Sequence, residues 1–220
     1  MCGRFSFSTS KEKLKKQLGD IVIEEELEAN YNVAPTQKVY VITNEQPNTL
    51  QQMTWGLVPS WSKEGKPSGR MINARSETIA SKPSFRVPFR KRRCLVIADS
   101  FYEWRREGKQ KLPFRILPKD DSLLVMAGIW ERWYGEQQHI LETCSILTTD
   151  PNQEMQPIHN RMPLILTQKA QYHQWLKDQT PAELLEFIHI PPDDILNIYP
   201  VSTAVNSVRN NGPHLHEKIE

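Results

Sequence analysis

Cysteine is scarce in this chain. The three residues present among 220, Cys2, Cys94 and Cys144, lie far apart with no C-x-x-C pair, which excludes a disulfide framework and a cysteine-rich zinc site. None of the six histidines falls in an H-E-x-x-H motif, and neither G-x-G-x-x-G nor a Walker loop occurs. No metal, nucleotide or flavin is therefore expected. No apolar run approaches the ~18–20 residues of a membrane span. The opening MCGRFSFSTSKEKLKK also lacks the apolar stretch of a secretory signal, so a cytoplasmic location is expected. With 38% hydrophobic and 25% charged residues the chain is too apolar for disorder, and its length suits one larger domain, residues 1–220.

Charge is present but segregated. Lys63 to Arg115 holds 15 Lys and Arg against 5 Asp and Glu, while the rest holds 13 against 21, so the net +2 conceals a +10 stretch and a −8 remainder. The basic stretch includes Arg70, Arg75, Arg86 and Arg90-Lys91-Arg92-Arg93, interleaved with Phe85, Phe89, Phe101, Tyr102 and Trp104. Cations that neutralise phosphates, with aromatics on which bases stack, make a single-stranded nucleic-acid surface. A solvated basic face over core aromatics has the same composition, and composition alone does not choose between them.

Short strands dominate the pattern. Ser10 predicts an N-cap for a helix ending near Leu18, with Gly19 as its stop. Strands are predicted over Lys38–Thr43, Leu50–Val58, Arg93–Arg105, Leu112–Leu117, Leu123–Trp130, His139–Thr148 and Met162–Leu166. Glu107-Gly108-Lys109 reads as a hairpin turn. Thr167 is the expected cap of a helix reaching Leu176. Thr180-Pro181-Ala182-Glu183 combines a cap, a first-turn proline and a capping-box acid, opening another helix. Helices flanking a mainly antiparallel β core predict a single α+β domain.

Cys2 follows Met1, and a side chain this small permits removal of the initiator. The exposed α-amine (pKa ~7.7–8.0) would then sit two carbons from a thiol (pKa ~8.5), with both nucleophiles partly available near neutrality. An aldehyde forms an imine with the amine, and the sulfur then closes a thiazolidine ring. A merely buried small residue is the alternative for Cys2. Amidotransferases with an N-terminal nucleophile also begin Met-Cys-Gly. Here the only Asn-Gly is Asn211-Gly212, near the C-terminus, and no glutamine-binding motif is visible.

Eight distinctive segments follow one another along the chain. They begin with Met1-Cys2-Gly3-Arg4-Phe5, Tyr31-Asn32-Val33-Ala34-Pro35 and Trp55-Gly56-Leu57-Val58-Pro59-Ser60-Trp61. Asn73-Ala74-Arg75-Ser76-Glu77-Thr78, Lys82-Pro83-Ser84-Phe85-Arg86 and Arg93-Cys94-Leu95 through Ala98-Asp99-Ser100-Phe101-Tyr102-Glu103-Trp104 follow. Ile158-His159-Asn160-Arg161-Met162-Pro163 and Val201-Ser202-Thr203-Ala204-Val205-Asn206 complete the set. Together they resemble the SOS-response-associated peptidase (SRAP) family of abasic-site processing proteins, whose fold implies a barrel-like β core.

The resemblance implies binding of single-stranded DNA at abasic sites, with a covalent thiazolidine between the N-terminal cysteine and the opened sugar. It casts Cys2 as nucleophile, Asn73 as the residue sensing the lesion, Glu103 as the acid beside the sugar and His159 as a proton shuttle to the ring oxygen. Arg4, Arg75 and Arg161, beside these residues in sequence, are candidate phosphate clamps, and Trp61 a candidate for base stacking. Each has a plainer alternative: Asn73 bonding buried backbone, Glu103 paired with Arg75 or Arg105, His159 as a core histidine, and Trp55, Trp61 and Trp104 as core aromatics. Cysteine-type peptidase or autopeptidase activity and non-covalent strand binding are the rival functions. Ser100 replaces the family's usual glycine, so a glycine-only backbone angle there would be strained. No membrane partner is expected, and DNA binding would bring the protein to the nucleoid.

Overall fold

The computed structural model describes residues 2–220, the side chain of Gln138 excepted, so the expected removal of Met1 lies outside the described residues. The first third contains β1 (Phe5–Phe7), α1 (Lys11–Leu18), β2 (Asn30–Val33), β3 (Lys38–Thr43), β4 (Gln51–Trp55) and β5 (Asn73–Arg75). Next come α2 (Arg86–Lys91), β6 (Arg93–Ala98), β7 (Ser100–Glu107), β8 (Gln110–Pro118), β9 (Leu124–Tyr134) and β10 (Ile140–Thr149). The last third holds β11 (Met162–Pro163), β12 (Ile165–Leu166), α3 (Lys169–Leu176), α4 (Pro181–Phe187) and β13 (Leu196–Pro200). No helix among the described residues is long and apolar enough to cross a membrane.

Five strands close into a barrel, giving the expected α+β architecture. β4 pairs with β3, β3 with β6, β6 with β9 and β9 with β10, all antiparallel. The ring then shuts through a parallel contact of β10 with β4, at Thr143–Thr54 and Cys144–Trp55. β5 also joins β10 in parallel. Because successive strand residues face opposite sides, β3, β6, β9 and β10 each feed two cores. Val41, Val96, Met126 and Cys144 share one with Phe5, Phe101 and Phe114 of the second sheet. Ile42, Leu95, Ala127 and Leu147 share the other with Leu14, Phe89, Trp175 and Leu184 of the helices.

The second sheet runs β13-β8-β7-β1-β2. The predicted strand Arg93–Arg105 is in fact two strands, one in each sheet. The chain crosses at Asp99, whose carboxylate accepts hydrogen bonds from the backbone N–H and hydroxyl of Ser8. Ser100 shows no glycine-like angle, since it is not among the residues with positive φ. Its hydroxyl bonds to Ser6 Oγ at 2.7 Å and accepts from Arg115 Nε at 2.9 Å.

The predicted strand Met162–Leu166 is likewise divided, with β11 pairing β10 and β12 pairing β9. α3 is capped by Gln168, not Thr167, in a reciprocal box with Gln171. Ser10 and the Thr180–Glu183 box cap α1 and α4 as expected.

A fully buried cation ties two helix ends to the barrel. Arg93, 0% exposed, donates to Phe89 O (3.1 Å) and Arg90 O (2.6 Å) at the end of α2, and to Trp175 O and Lys177 O (both 2.9 Å) at the end of α3. The last carbonyls of a helix have no partner within it and carry partial negative charge. One guanidinium satisfies both ends.

Candidate active site

Register delivers Cys2 to its neighbours. β1 is flanked by β2 and β7, with Phe5 opposite Phe101, and Tyr102 N–H donates to Arg4 O at 2.9 Å. Continuing that antiparallel track toward the N-terminus carries the chain along β7 to the level of Glu103. Cys2 is fully buried there and Glu103 is 3% exposed. From the barrel side, β5 places Asn73 so that its Nδ2 donates to Cys2 O at 2.8 Å. Asn73 Oδ1 is buried with no hydrogen-bond partner among the described residues. The site thus forms where the two sheets meet.

His159 arrives on the 150–161 loop. Asn152, 5% exposed, shapes that loop by accepting from Met155 N–H (3.0 Å) and donating to Pro192 O (2.9 Å). His159 N–H then donates to Met155 O at 2.9 Å. Arg161 anchors the loop's far end. Its guanidinium forms a two-pronged ion pair with Glu77 and also binds Asp150 (2.9 Å) and Thr148 O (2.6 Å). Arg161 N–H donates to His159 Nδ1 at 3.0 Å. An accepting Nδ1 assigns the ring proton to Nε2, so the neutral imidazole presents an N–H donor at the other end of the ring.

Electrostatics separate the site from an activated thiol–imidazole pair. Burial pushes the Cys2 thiol well above its ordinary value, and the Glu103 carboxylate adds to the rise. Burial lowers the His159 pKa, with Glu103 opposing. Both groups are therefore held neutral at pH 7.

An open pocket of about 370 Å³ is lined by Glu103, Trp104, Arg106, Lys111, His159 and Asn206. Trp104 Nε1 donates to Asn206 Oδ1 at 2.7 Å, and the Arg4 guanidinium lies 5.9 Å from the Trp104 ring. Arg4 is already engaged, donating to Asn32 Oδ1 and Val205 O, both at 2.7 Å. Asn32 in turn holds the Val205–Asn210 segment through Ser207 O (2.9 Å) and Asn210 O (2.8 Å).

Among the residues expected from sequence, Cys2, Asn73, Glu103 and His159 converge, while Arg4 and Arg161 bind protein acceptors. Arg75 and Trp61 are exposed and do not line the pocket; Trp61 retains 66% exposure. Trp55 is core, and Trp104 is a wall of the pocket. Sequence reasoning missed Arg106, Lys111 and Asn206 as pocket residues. The alternation along β7, which puts Arg106 on the side of Trp104, was the available signal. Among the described residues no group of His, Cys, Asp or Glu is arranged to hold a metal ion.

The family model described as "SOS response associated peptidase (SRAP)" matches residues 1–208. The chain belongs to the SRAP family. Its SRAP relatives include the abasic site processing protein YoqW of Bacillus subtilis, 42% identical across 99% of both chains. The abasic site processing protein HMCES of Gallus gallus is 33% identical over 100% of this chain and 78% of its own. A crystal structure of a Bacteroides thetaiotaomicron protein shares the SRAP chain's whole course, with TM-score 0.88, 29% identity and full coverage of both.

Proposed function

We propose that this protein captures abasic sites in single-stranded DNA by forming a thiazolidine between Cys2 and the ring-opened sugar. The observation that carries the reading is the convergence of Asn73, through its bond to Cys2 O, and Glu103 on a buried Cys2, beside a pocket that His159 lines. The abasic-site names of relatives that match nearly end to end support the substrate.

With Met1 removed, the Cys2 amine attacks the sugar aldehyde carbon, a C–N bond forms and water leaves to give the imine. Sulfur then adds to the same carbon, forming the C–S bond, and the thiol proton ends on nitrogen. Because burial and Glu103 keep the thiol protonated at rest, this proton moves during closure, with the Glu103 carboxylate positioned to relay it. Asn73 fixes the Cys2 carbonyl, and its Oδ1 is available to accept from the terminal amine. His159 Nε2–H donates to the sugar oxygen as the ring opens, while Arg75 and Trp61 contact the strand outside the pocket. The closed ring removes the imine that would otherwise promote elimination of the 3′ phosphate.

A thiol peptidase finds less support. Its cysteine needs a depressed pKa beside a protonated histidine, and here both shifts run the other way. The test is incubation of Met1-processed protein with an abasic oligonucleotide. We expect a conjugate that survives heat and denaturant without borohydride and is absent in Cys2→Ala. The same unreduced conjugate from Cys2→Ala would refute the mechanism.

A further inference from the structure

The rim of the pocket carries a charge arrangement that the capture chemistry does not use. Arg106 on β7 and Lys111 on β8 are direct cross-strand partners, so their side chains leave the sheet on the same face. Both are exposed and both line the pocket that holds Glu103 and His159. Among the described residues neither joins an ion pair, whereas the adjacent Arg105 pairs with Glu107. Like charges directly opposite on antiparallel strands repel, which costs the hairpin stability. An anion bridging them turns that cost into binding energy. Trp104, two residues before Arg106 and so on the same face, supplies an aromatic wall beside the pair. Cations next to an aromatic surface accept a phosphodiester whose adjoining base or sugar packs on the ring.

We propose that Arg106 and Lys111 form a phosphate subsite that grips a backbone phosphodiester of the bound strand at the mouth of the Cys2 pocket. The inference rests on the abasic-capture reading for its ligand. The grip itself needs no lesion, because a phosphodiester neighbours every sugar. It fixes position and is indifferent to base sequence.

The decisive variant is Lys111→Glu, which turns the repulsive pair into an attractive one. We expect an unchanged or raised thermal midpoint together with at least about tenfold weaker binding of an intact, fluorescein-labelled single strand at low salt. Arg106→Gln/Lys111→Gln should make the slope of log K against log salt shallower by about 0.7 for each phosphate that is no longer neutralised. Lys15→Glu, an equal charge change on α1, is the control for net charge and should weaken binding far less. Wild-type affinity and slope in both rim variants, or equal weakening by Lys15→Glu, would overturn the subsite. The capture reading is scored separately, by whether wild type forms the conjugate and Cys2→Ala does not. Failure there leaves the intact-strand comparison standing.

Discussion

Replacing Asn73 with alanine isolates the hydrogen bond that holds the nucleophile in place. The bond from Nδ2 to Cys2 O is 2.8 Å long, with Cys2 fully buried and Asn73 only 9% exposed, so water cannot readily replace the missing donor. A buried carbonyl left without its partner costs about 1–3 kcal/mol. If the bond tightens only in the reacting geometry, losing it slows conjugate formation by about 5- to 150-fold, at 1.36 kcal/mol per decade. Whatever part of the penalty falls instead on the resting protein leaves the rate unchanged and lowers the melting midpoint by about 2–4 °C per kcal/mol for a chain of this size. The assay is single-turnover conjugation at saturating abasic oligonucleotide, well below the melting range, with differential scanning calorimetry alongside. Asn73→Asp should be slower still, since it removes the donor and adds a negative charge near Glu103. A folded Asn73→Ala protein that reacts within about twofold of wild type would refute the idea that this anchor sets the terminus.

Arg93→Met should destabilise the fold by about 3–5 kcal/mol, because four helix-end carbonyls lose one buried cation. Lysine should not rescue it, lacking the planar fork; a decrease under about 1 kcal/mol in urea titrations would contradict the assignment. His216 has its pKa pushed down to about 3 by burial and then by Arg115, so the unfolded chain takes up a proton that the folded one refuses. Stability should fall as pH drops from about 6.5 toward 3, and His216→Gln should flatten that fall in denaturant titrations at stepped pH. Gly65, at φ +60°, has no room for a side chain against the Trp133 indole, whose Nε1 donates to Ser62 O at 2.7 Å. Gly65→Ala should displace the loop bearing Trp61 and weaken single-strand binding about fivefold, the lower end for removing one stacked base. Unchanged affinity would detach Trp61 from the DNA.

What could be read beforehand followed from local chemistry. Ser10 and the Thr180–Glu183 box mark helix starts because caps act within three residues. Thr167 lost to Gln168 because a glutamine box is chemically sufficient and less familiar. β1 and β5 are three residues each, too short to show alternation, yet they carry the chain to Cys2 and Asn73. The break at Asp99 was hidden because a single polar residue between apolar runs looks like ordinary strand alternation, until Ser8 reaches across to it. The parallel pairings of β10 depend on partners some 70 to 90 residues away, beyond any local pattern. Cys2, Asn73, Glu103 and His159 were legible through ordered motifs. Arg106 and Lys111 were not, because exposed cations belong to no motif: alternation with Trp104 gave only Arg106's face, and their pairing depends on the strand opposite.

The parallel seam that closes the barrel has a kinetic consequence. It joins Thr54 to Thr143 and Trp55 to Cys144 over only two paired positions, with Gly56 N–H donating to Cys144 O at 2.9 Å beside them. The antiparallel ladders of β6, β9 and β10 link residues much nearer in sequence, so their loop-closure entropy is smaller. Assembly should therefore run from these three strands toward the seam, leaving two unsatisfied strand borders that can recruit a second nascent chain. Amide exchange at Gly56, whose N–H bonds across the seam, faster than at Val96 and Met126 would mark the seam as the place where the finished molecule first comes apart.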